Sequence, residues 1–224
     1  MAAYHLLNVF TAEDGSHGNP LAVFLDDAAM PAGERQRVAA DLGYSETVFV
    51  DDAERGDLRI FTPASELPLA GHPLVGSAWL IARQRGECAL LRPPAGEVPT
   101  WQEGELRWIR ARPDWAPQME LRQYPSAARV EGLDGPPDAL DFADCWAWID
   151  EDAGIVRSRV FPLREGIPED EATGAAALRL CAFLQRPLVI RQGKGSVLHA
   201  QPGPEGTIDV GGRVSYRGEH DYGD

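Results

Sequence analysis

The sequence has little positive charge, few cysteines and no long apolar segment. Its 224 residues include 21 Lys and Arg against 35 Asp and Glu, which gives a formal net charge of −14. Phosphate repels such a chain, and no block of Lys or Arg offsets the repulsion, so nucleic acid is excluded as a partner. The longest apolar stretch, near residues 75–82, falls far short of the ~18 residues that a membrane-spanning helix needs, which excludes a membrane protein.

Cysteine and histidine are too sparse to build a disulfide framework or a metal site. Cys88, Cys145 and Cys181 are odd in number and widely spaced, and none belongs to a Cys-x-x-Cys pair. The five histidines also lack the spacing of metal ligands. The N-terminal residues show no basic region followed by an apolar one, the mark of a secretory signal. We therefore expect no metal and a location in the reducing cytoplasm.

Apolar runs alternate with turn signals along the chain, and this pattern predicts a mixed α+β protein. Helices are expected over residues 31–42, from 71 to about 84, and over 174–184. Proline-rich segments predict a boundary near residues 110–118, with domains 1–112 and 113–224, and the last residues can pack back on the first domain. Short apolar runs predict strands at 6–10, 22–25, 44–50, 58–61, 145–149, 157–161, 188–191, 196–200, 207–210 and 214–216.

The two halves of the chain share a short pattern. A shift of 98 residues places His72 on Asp170 and Gly76 on Gly174. In both segments a polar residue precedes a glycine by four positions, and small residues follow at the start of a helix. The correspondence predicts two similar units, each presenting a helix N-terminus to a shared cleft.

Glu46 is the first residue that could carry acid–base chemistry. Alternate residues of a strand share a face, so Glu46 points the same way as Val48 and Val50. Loss of water around a carboxyl group raises its pKa towards the range where it exchanges protons near neutral pH. The simpler interpretation is an exposed edge position at the polar start of a strand, and the pattern alone favours it.

His72 and Asp170 precede or open the two predicted helices. A helix N-terminus offers unpaired N–H groups and about half a positive charge, which suits an anion. Asp170 could equally cap its helix, a common use of Asp that the spacing favours. His72 could be a buried turn histidine with its hydrogen bonds satisfied. Gly71 and Gly174 permit either a ligand or another helix to approach the backbone closely.

Several segments in a fixed order resemble the PhzF-like phenazine-biosynthesis isomerase family. In the first half these are Phe10-Thr11, Gly18-Asn19-Pro20-Leu21-Ala22-Val23, Ser45-Glu46-Thr47-Val48-Phe49-Val50, Phe61-Thr62-Pro63, Glu66-Leu67-Pro68 and Gly71-His72. In the second half they are Glu169-Asp170-Glu171-Ala172-Thr173-Gly174, Ile190-Arg191-Gln192-Gly193 and Val210-Gly211-Gly212-Arg213-Val214.

The resemblance implies the diaminopimelate epimerase-like fold, in which two pseudo-symmetric domains each wrap a curved β-sheet around a central helix and enclose a cleft. It implies that Glu46 transfers the proton and that His72 and Asp170 contact the substrate and assist. Family members use no cofactor and are usually homodimers. Residues beside the two central helices would bind a small carboxylate-bearing metabolite, namely Gly71, Pro73, Thr173, Gly174 and Ala175.

This chain also departs from the family pattern. Ala175 stands where the family usually has serine, and Glu171 stands where proline is typical. The chain is shorter than usual members, and the segment of about residues 116–154 matches poorly. A hydroxyl lost at Ala175 removes a ligand hydrogen bond worth about 0.5–1.5 kcal/mol. We therefore expect a ligand other than that of the name-giving member.

The sequence predicts a cofactor-independent isomerase that shifts a double bond on a small carboxylate by moving a proton through Glu46. A racemase or epimerase on the same fold is an alternative, but its thiol-based form needs a cysteine at each helix entrance, and no cysteine is near either motif. A non-catalytic protein that binds a small molecule in the same cleft is a further alternative, motivated by Ala175 and the shortened second half.

Overall fold

The protein is described by a computed structural model that covers residues 2–25, 30–137 and 140–223. Four helices occur in this part of the chain: α1 Ala32–Leu42, α2 Gly71–Arg85, α3 Ala127–Glu131 and α4 Gly174–Leu184. The strands are β1 Ala2–Thr11, β2 Asn19–Phe24, β3 Glu46–Asp52, β4 Asp57–Phe61, β5 Glu66–Leu67, β6 Leu90–Leu91, β7 Val98–Glu103, β8 Leu106–Ala111, β9 Glu120–Gln123, β10 Ala143–Asp150, β11 Ile155–Phe161, β12 Leu188–Gln192, β13 Ser196–Pro202 and β14 Ile208–Tyr222. The predicted α+β class is confirmed.

The strands form one mixed sheet that runs through both halves of the chain. Its order is β5-β4-β3-β2-β1-β14-β13-β12-β11-β10-β9, and β7 and β8 join it through β14. The first residues of β14 pair with β13 and β8, and its last residues pair with β1. One long strand thus connects the sheet of the first half to that of the second. The domain boundary at residue 112 stays a prediction.

Each half has one central helix that is buried because its residues are small or apolar. Helix α2 lies against β1, β2, β3, β8 and β14. Gly76 allows the helix to lie close to β2, because a Cβ at this position would be only 2.5 Å from a Leu21 methyl carbon. Helix α4 packs on β13 and β14 through its buried face. Side chains from both helices belong to the same apolar core. No helix of the described residues is long and apolar enough to span a membrane.

The N-termini of α2 and α4 touch each other. A Cβ added to Gly71 would lie 2.6 Å from the Gly174 Cα, and a Cβ on Gly174 would meet Gly71 in the same way. Contact this close is available only to glycine. The two helices that face each other begin at Gly71 and Gly174, which are 103 positions apart. The predicted shift of 98 residues, which matched Gly76 with Gly174, is therefore wrong by five positions.

The strand predictions over residues 207–210 and 214–216 are wrong in one respect. Residues 208–210 and 214–216 belong to the single strand β14, although Gly211 and Gly212 lie between the two runs. The rings of Trp108 and Phe10 cover these glycines so closely that a Cβ on either would collide with them. The glycines make room for the aromatic rings within a strand, whereas the sequence suggested a turn.

Replacing Gly71 with alanine is expected to lower the free energy of unfolding by about 1–3 kcal/mol, because the new methyl group would collide with the backbone of α4. Gly33→Ala in α1 is the matched control, since a Cβ there meets nothing within 4 Å. Alanine should leave that helix unchanged or stabilise it by about 0.5–1 kcal/mol. Urea unfolding measures both variants, and a Gly71→Ala protein as stable as the wild type would show that the helix contact is not tight.

Candidate active site

A cavity of about 240 Å³ opens where α2 and α4 meet. Its polar lining residues are Glu46, His72, Glu165, Asp170 and Thr173, and its apolar wall includes Leu67, Leu69, Trp115, Pro117, Phe142, Pro162 and Ile167. The structure thus brings residues from both halves of the chain to one enclosed space, as expected for a cleft shared by two similar units. A cavity with a mostly apolar wall and a few convergent polar groups is typical of a small-molecule site.

Glu46 is the first residue of β3, and its side chain lines the cavity. Only 9% of the residue is exposed, so the simpler interpretation of an exposed edge carboxylate is wrong. The strand continues through Val48 and Val50 in the core beneath α2, which draws the start of the strand inward. The Glu46 Oε2 lies 3.5 Å from the His72 Nε2, and neither atom has a hydrogen-bond partner among the described residues. Both atoms are shielded from solvent, so each is a buried polar atom without a hydrogen-bond partner, in a residue that lines the cavity.

Burial sets the ionisation of these two side chains. Loss of water is the main cause that raises the pKa of Glu46 to about 7. A hydrogen bond from Ser45 opposes this rise, and the nearby charge of Glu165 adds a smaller increase. Burial lowers the pKa of His72 to about 4, against the opposing effect of Asp170. At neutral pH the site therefore holds an uncharged imidazole beside a carboxyl group that can exist in either protonation state.

Asp170 does not cap α4, so the capping interpretation is wrong. The helix begins at Gly174 with Thr173 as its N-cap residue, and Asp170 forms an isolated bridge with Val160 upstream. Its carboxylate accepts hydrogen bonds from the Asn19 Nδ2 and the Thr173 Oγ1, each at 2.6 Å. Burial first, and then the charge of Glu46, raises the pKa of Asp170 to about 6.

Asn19 and Gln192 complete the polar network around these groups, and neither was among the site residues predicted from the sequence. The Asn19 amide donates to Asp170 and to the Ala172 carbonyl oxygen at 3.1 Å, and lies 3.5 Å from the His72 Nδ1. The Gln192 side chain accepts from the Thr173 N–H and donates to the Asp170 carbonyl oxygen. Both side-chain amides are buried, and both residues belong to segments that carry the family resemblance. A polar residue inside an apolar strand is the sequence signal that could have identified them.

The backbone at the two helix starts supplies donors to the cavity. Gly71, Gly174 and Ala175 line it, and the first N–H groups of an α-helix lack acceptors within the helix. Together with the helix dipoles, these amides suit a carboxylate. Pro73, by contrast, is not brought to the cavity. It lies about half a turn around α2 from Gly71 and is buried on another side of the helix.

Other chemistry-bearing residues lie elsewhere. All three cysteines are free and buried, and none lines the cavity. In the part of the chain that the structure describes, no three His, Cys, Asp or Glu side chains are arranged to hold a metal ion.

Solved structures identify the class of fold to which this architecture belongs. A phenazine biosynthesis PhzC/PhzF protein from Clostridium difficile superposes with a TM-score of 0.76 over 99% of each chain, at 19% identity. A hydroxyproline epimerase from Agrobacterium vitis superposes with a TM-score of 0.62 over 98% of this chain and 91% of that one, at 12% identity. The protein thus has the diaminopimelate epimerase-like fold, as predicted.

Sequence comparison then identifies the family. The family model described as phenazine biosynthesis-like protein matches residues 7–131. The trans-2,3-dihydro-3-hydroxyanthranilate isomerase of Pseudomonas aeruginosa is 31% identical over 87% of this chain and 84% of its own length. An uncharacterised isomerase of Pasteurella multocida is 43% identical over 46% of this chain, but the match spans only 37% of that protein. The chain belongs to the phenazine biosynthesis-like (PhzF) family, and the prediction of an isomerase is confirmed.

The buried Glu46 carboxyl makes stability depend on pH. Its pKa of about 7 exceeds the value of 4.5 for an exposed glutamate, so the folded state binds a proton that the unfolded state has released between these pH values. The Glu46 carboxyl should therefore lower stability as pH rises from 5 to 8, and Glu46→Gln should remove this contribution, a difference of up to about 3 kcal/mol. The variant should keep a smaller decline, because burial also raises the pKa of Asp144 to about 7 and that of Asp170 to about 6.

Urea unfolding at pH 5 and at pH 8 measures this difference. Glu205→Gln is the control, since Glu205 is exposed and its replacement should change both values equally. Parallel pH curves for the wild type and Glu46→Gln would show that the Glu46 carboxyl titrates normally.

Proposed function

We propose that the protein is a cofactor-independent isomerase that removes a proton from one carbon of a small carboxylate-bearing metabolite and returns it to another, shifting a double bond. Glu46 would act first as the base and then as the acid. The observation that carries this proposal is the buried Glu46 carboxyl. The residue lines the cavity, and its Oε2 has no hydrogen-bond partner among the described residues and lies 3.5 Å from the His72 Nε2.

The ionisation of Glu46 suits both steps. A general acid–base group works best when its pKa lies near the working pH, and burial raises the pKa of Glu46 to about 7. The carboxylate form is then present to take a proton, and the acid form has a proton to return. An exposed glutamate would be almost fully ionised at neutral pH and a poor donor.

The two helix starts would bind the substrate carboxylate and the negative charge that develops as the proton leaves. Fixed N–H groups in a site that excludes water can supply several kcal/mol of stabilisation to such charge. Because Gly71 and Gly174 are in contact, the amides beside them converge on one region of the cavity. This arrangement supports binding of an anion without a basic side chain.

His72 and Asp170 would orient the substrate and help the proton to move. The neutral imidazole can hydrogen-bond to substrate without competing as a cation for the carboxylate of Glu46. Asp170 is fixed by Asn19 and Thr173, and it shares the electrostatic field of Glu46. A proton gained by one of these two acids therefore changes the affinity of the other for its own proton.

The relative from Pseudomonas aeruginosa is named for its substrate, trans-2,3-dihydro-3-hydroxyanthranilate, which makes that compound the first to test. Ala175 lines the cavity at the position where we expected a family hydroxyl, so this chain offers only the backbone there. We therefore propose that the natural ligand of this chain lacks the group that such a hydroxyl would contact.

Candidate carboxylates incubated with the protein in D₂O test the role of Glu46. The wild type should incorporate solvent deuterium into substrate, and Glu46→Gln should do so at least 100-fold more slowly, since general acid–base catalysis contributes about 10²–10⁴-fold. Glu205→Gln, which changes the same charge on the surface, should match the wild type. Equal incorporation by the wild type and Glu46→Gln would remove Glu46 from the reaction.

The family resemblance also leads us to propose a cytoplasmic homodimer. Three unpaired, buried cysteines support a reducing compartment. Light scattering on the purified protein should give about twice the chain mass of 24.4 kDa. A mass equal to that of one chain at all concentrations would contradict the dimer.

A further inference from the structure

The two halves of the chain are joined by two parallel hydrogen-bond connections behind the site. Asn19, at the start of β2, donates from its Nδ2 to the Asp170 carboxylate at 2.6 Å. Gly18, the residue before it, donates its N–H to the Ser196 Oγ at 3.0 Å. The Ser196 hydroxyl in turn donates to the Glu171 Oε1 at 2.8 Å, and Glu171 directly follows Asp170. Two adjacent residues of the first half are thus connected to two adjacent residues of the second.

The Glu171 carboxylate is also fixed from a third direction. Both of its oxygens accept the Lys194 N–H, at 3.1 and 2.9 Å, in the turn between β12 and β13. Gly193 makes room for this contact, because a Cβ there would collide with the carboxylate. Hydrogen bonds to an ionised carboxylate are roughly twice as strong as those between neutral groups. The carboxylate therefore anchors the chain beside Asp170 to the end of the β12–β13 hairpin.

The anchor bears on Asn19, which connects the segments of both acids. The Asn19 Oδ1 accepts from the Ser45 Oγ at 3.2 Å, and Ser45 directly precedes Glu46, while the Nδ2 of the same side chain donates to Asp170. Glu171 is not among the described residues that line the cavity, so its effect on the site passes through its neighbours. Placement matters here, because a shift of about 1 Å in a reacting group can slow a reaction about 100-fold.

We propose that Glu171 is a positioning residue whose carboxylate holds Asp170 against Asn19 and so keeps the two halves of the site in register. The inference rests on the proposed function, because it concerns the placement of the acids that would move the proton. Proline, which is typical of the family at this position, has no side-chain oxygen to accept from the Ser196 hydroxyl or the Lys194 N–H. The anchor therefore depends on the residue in which this chain departs from the family pattern.

The NMR signal of the Asn19 side-chain amide tests the anchor without a substrate. A short hydrogen bond to a carboxylate moves an amide proton downfield, and at about pH 7.5 the Asp170 carboxyl, with its pKa of about 6, is mostly ionised. The signal is assigned by its loss in Asn19→Asp. In Glu171→Ala it should move upfield, towards the position of a free side-chain amide, because the contact with Asp170 lengthens.

Glu169→Ala is the matched control, since it removes a carboxylate from the other neighbour of Asp170. Glu169 is exposed and binds Arg159 at 2.8 and 2.7 Å, so this variant should leave the Asn19 signal in place. Ser196→Ala should move the signal as Glu171→Ala does, and it decides the matter if Glu171→Ala does not fold. The double variant should show less than the sum of the two shifts, because both substitutions break one connection.

An unmoved Asn19 signal in Glu171→Ala would overturn the inference, even if that variant unfolds at lower urea. The signal comes from folded molecules, so a merely structural role would lower stability without moving it. An equal shift in Glu169→Ala would also overturn the inference, since any lost carboxylate would then suffice.

The test needs no turnover, so the inference and the proposed function can fail separately. Normal deuterium incorporation by Glu46→Gln, together with the expected shift of the Asn19 signal, would refute the proposed function alone. Loss of incorporation in Glu46→Gln, with an unmoved signal in Glu171→Ala, would refute the role of Glu171 alone.

Discussion

The contact between the Gly71 and Gly174 backbones is the constraint on which the rest of the site depends. It brings the positive ends of two helices from different halves of the chain to one cavity. The same contact allows Asn19, at the start of β2, to donate to Asp170 in the second half. A side chain at either glycine would separate the helices, and the two groups of amides would no longer face one ligand.

Burial of acidic groups is the second constraint, and it opposes stability. Removing water from Glu46 and Asp170 disfavours their charged forms, so the pKa of each carboxyl group is raised. Each pKa then lies near the pH range in which a carboxyl group can both accept and release a proton. Connections between the two halves offset part of this cost. Ser196 Oγ accepts from the Gly18 N–H and donates to Glu171, so the residue that departs from the family pattern helps to join the halves.

Local patterns predicted most helices and strands because their periodicity and end signals depend on neighbouring residues alone. The positions of α1, with Gly43 as its left-handed C-cap, and of α4 are examples. Features that depend on distant contacts were not predictable in this way. The burial of Glu46 requires α2 above its strand, and Gly211 remains in β14 because Trp108 lies against it. Glu165 follows the part of the chain that matched the family poorly, so neither motif nor periodicity indicated it.

The strongly negative net charge is consistent with a ligand that carries a carboxylate. At a distance, 35 acidic against 21 basic side chains repel an anion, although salt screens this repulsion beyond about 8–10 Å. Within the cavity, the helix amides act at contact distance and outweigh the net charge locally. The amides at the helix starts, rather than the net charge of the chain, therefore determine that the cavity suits an anionic group.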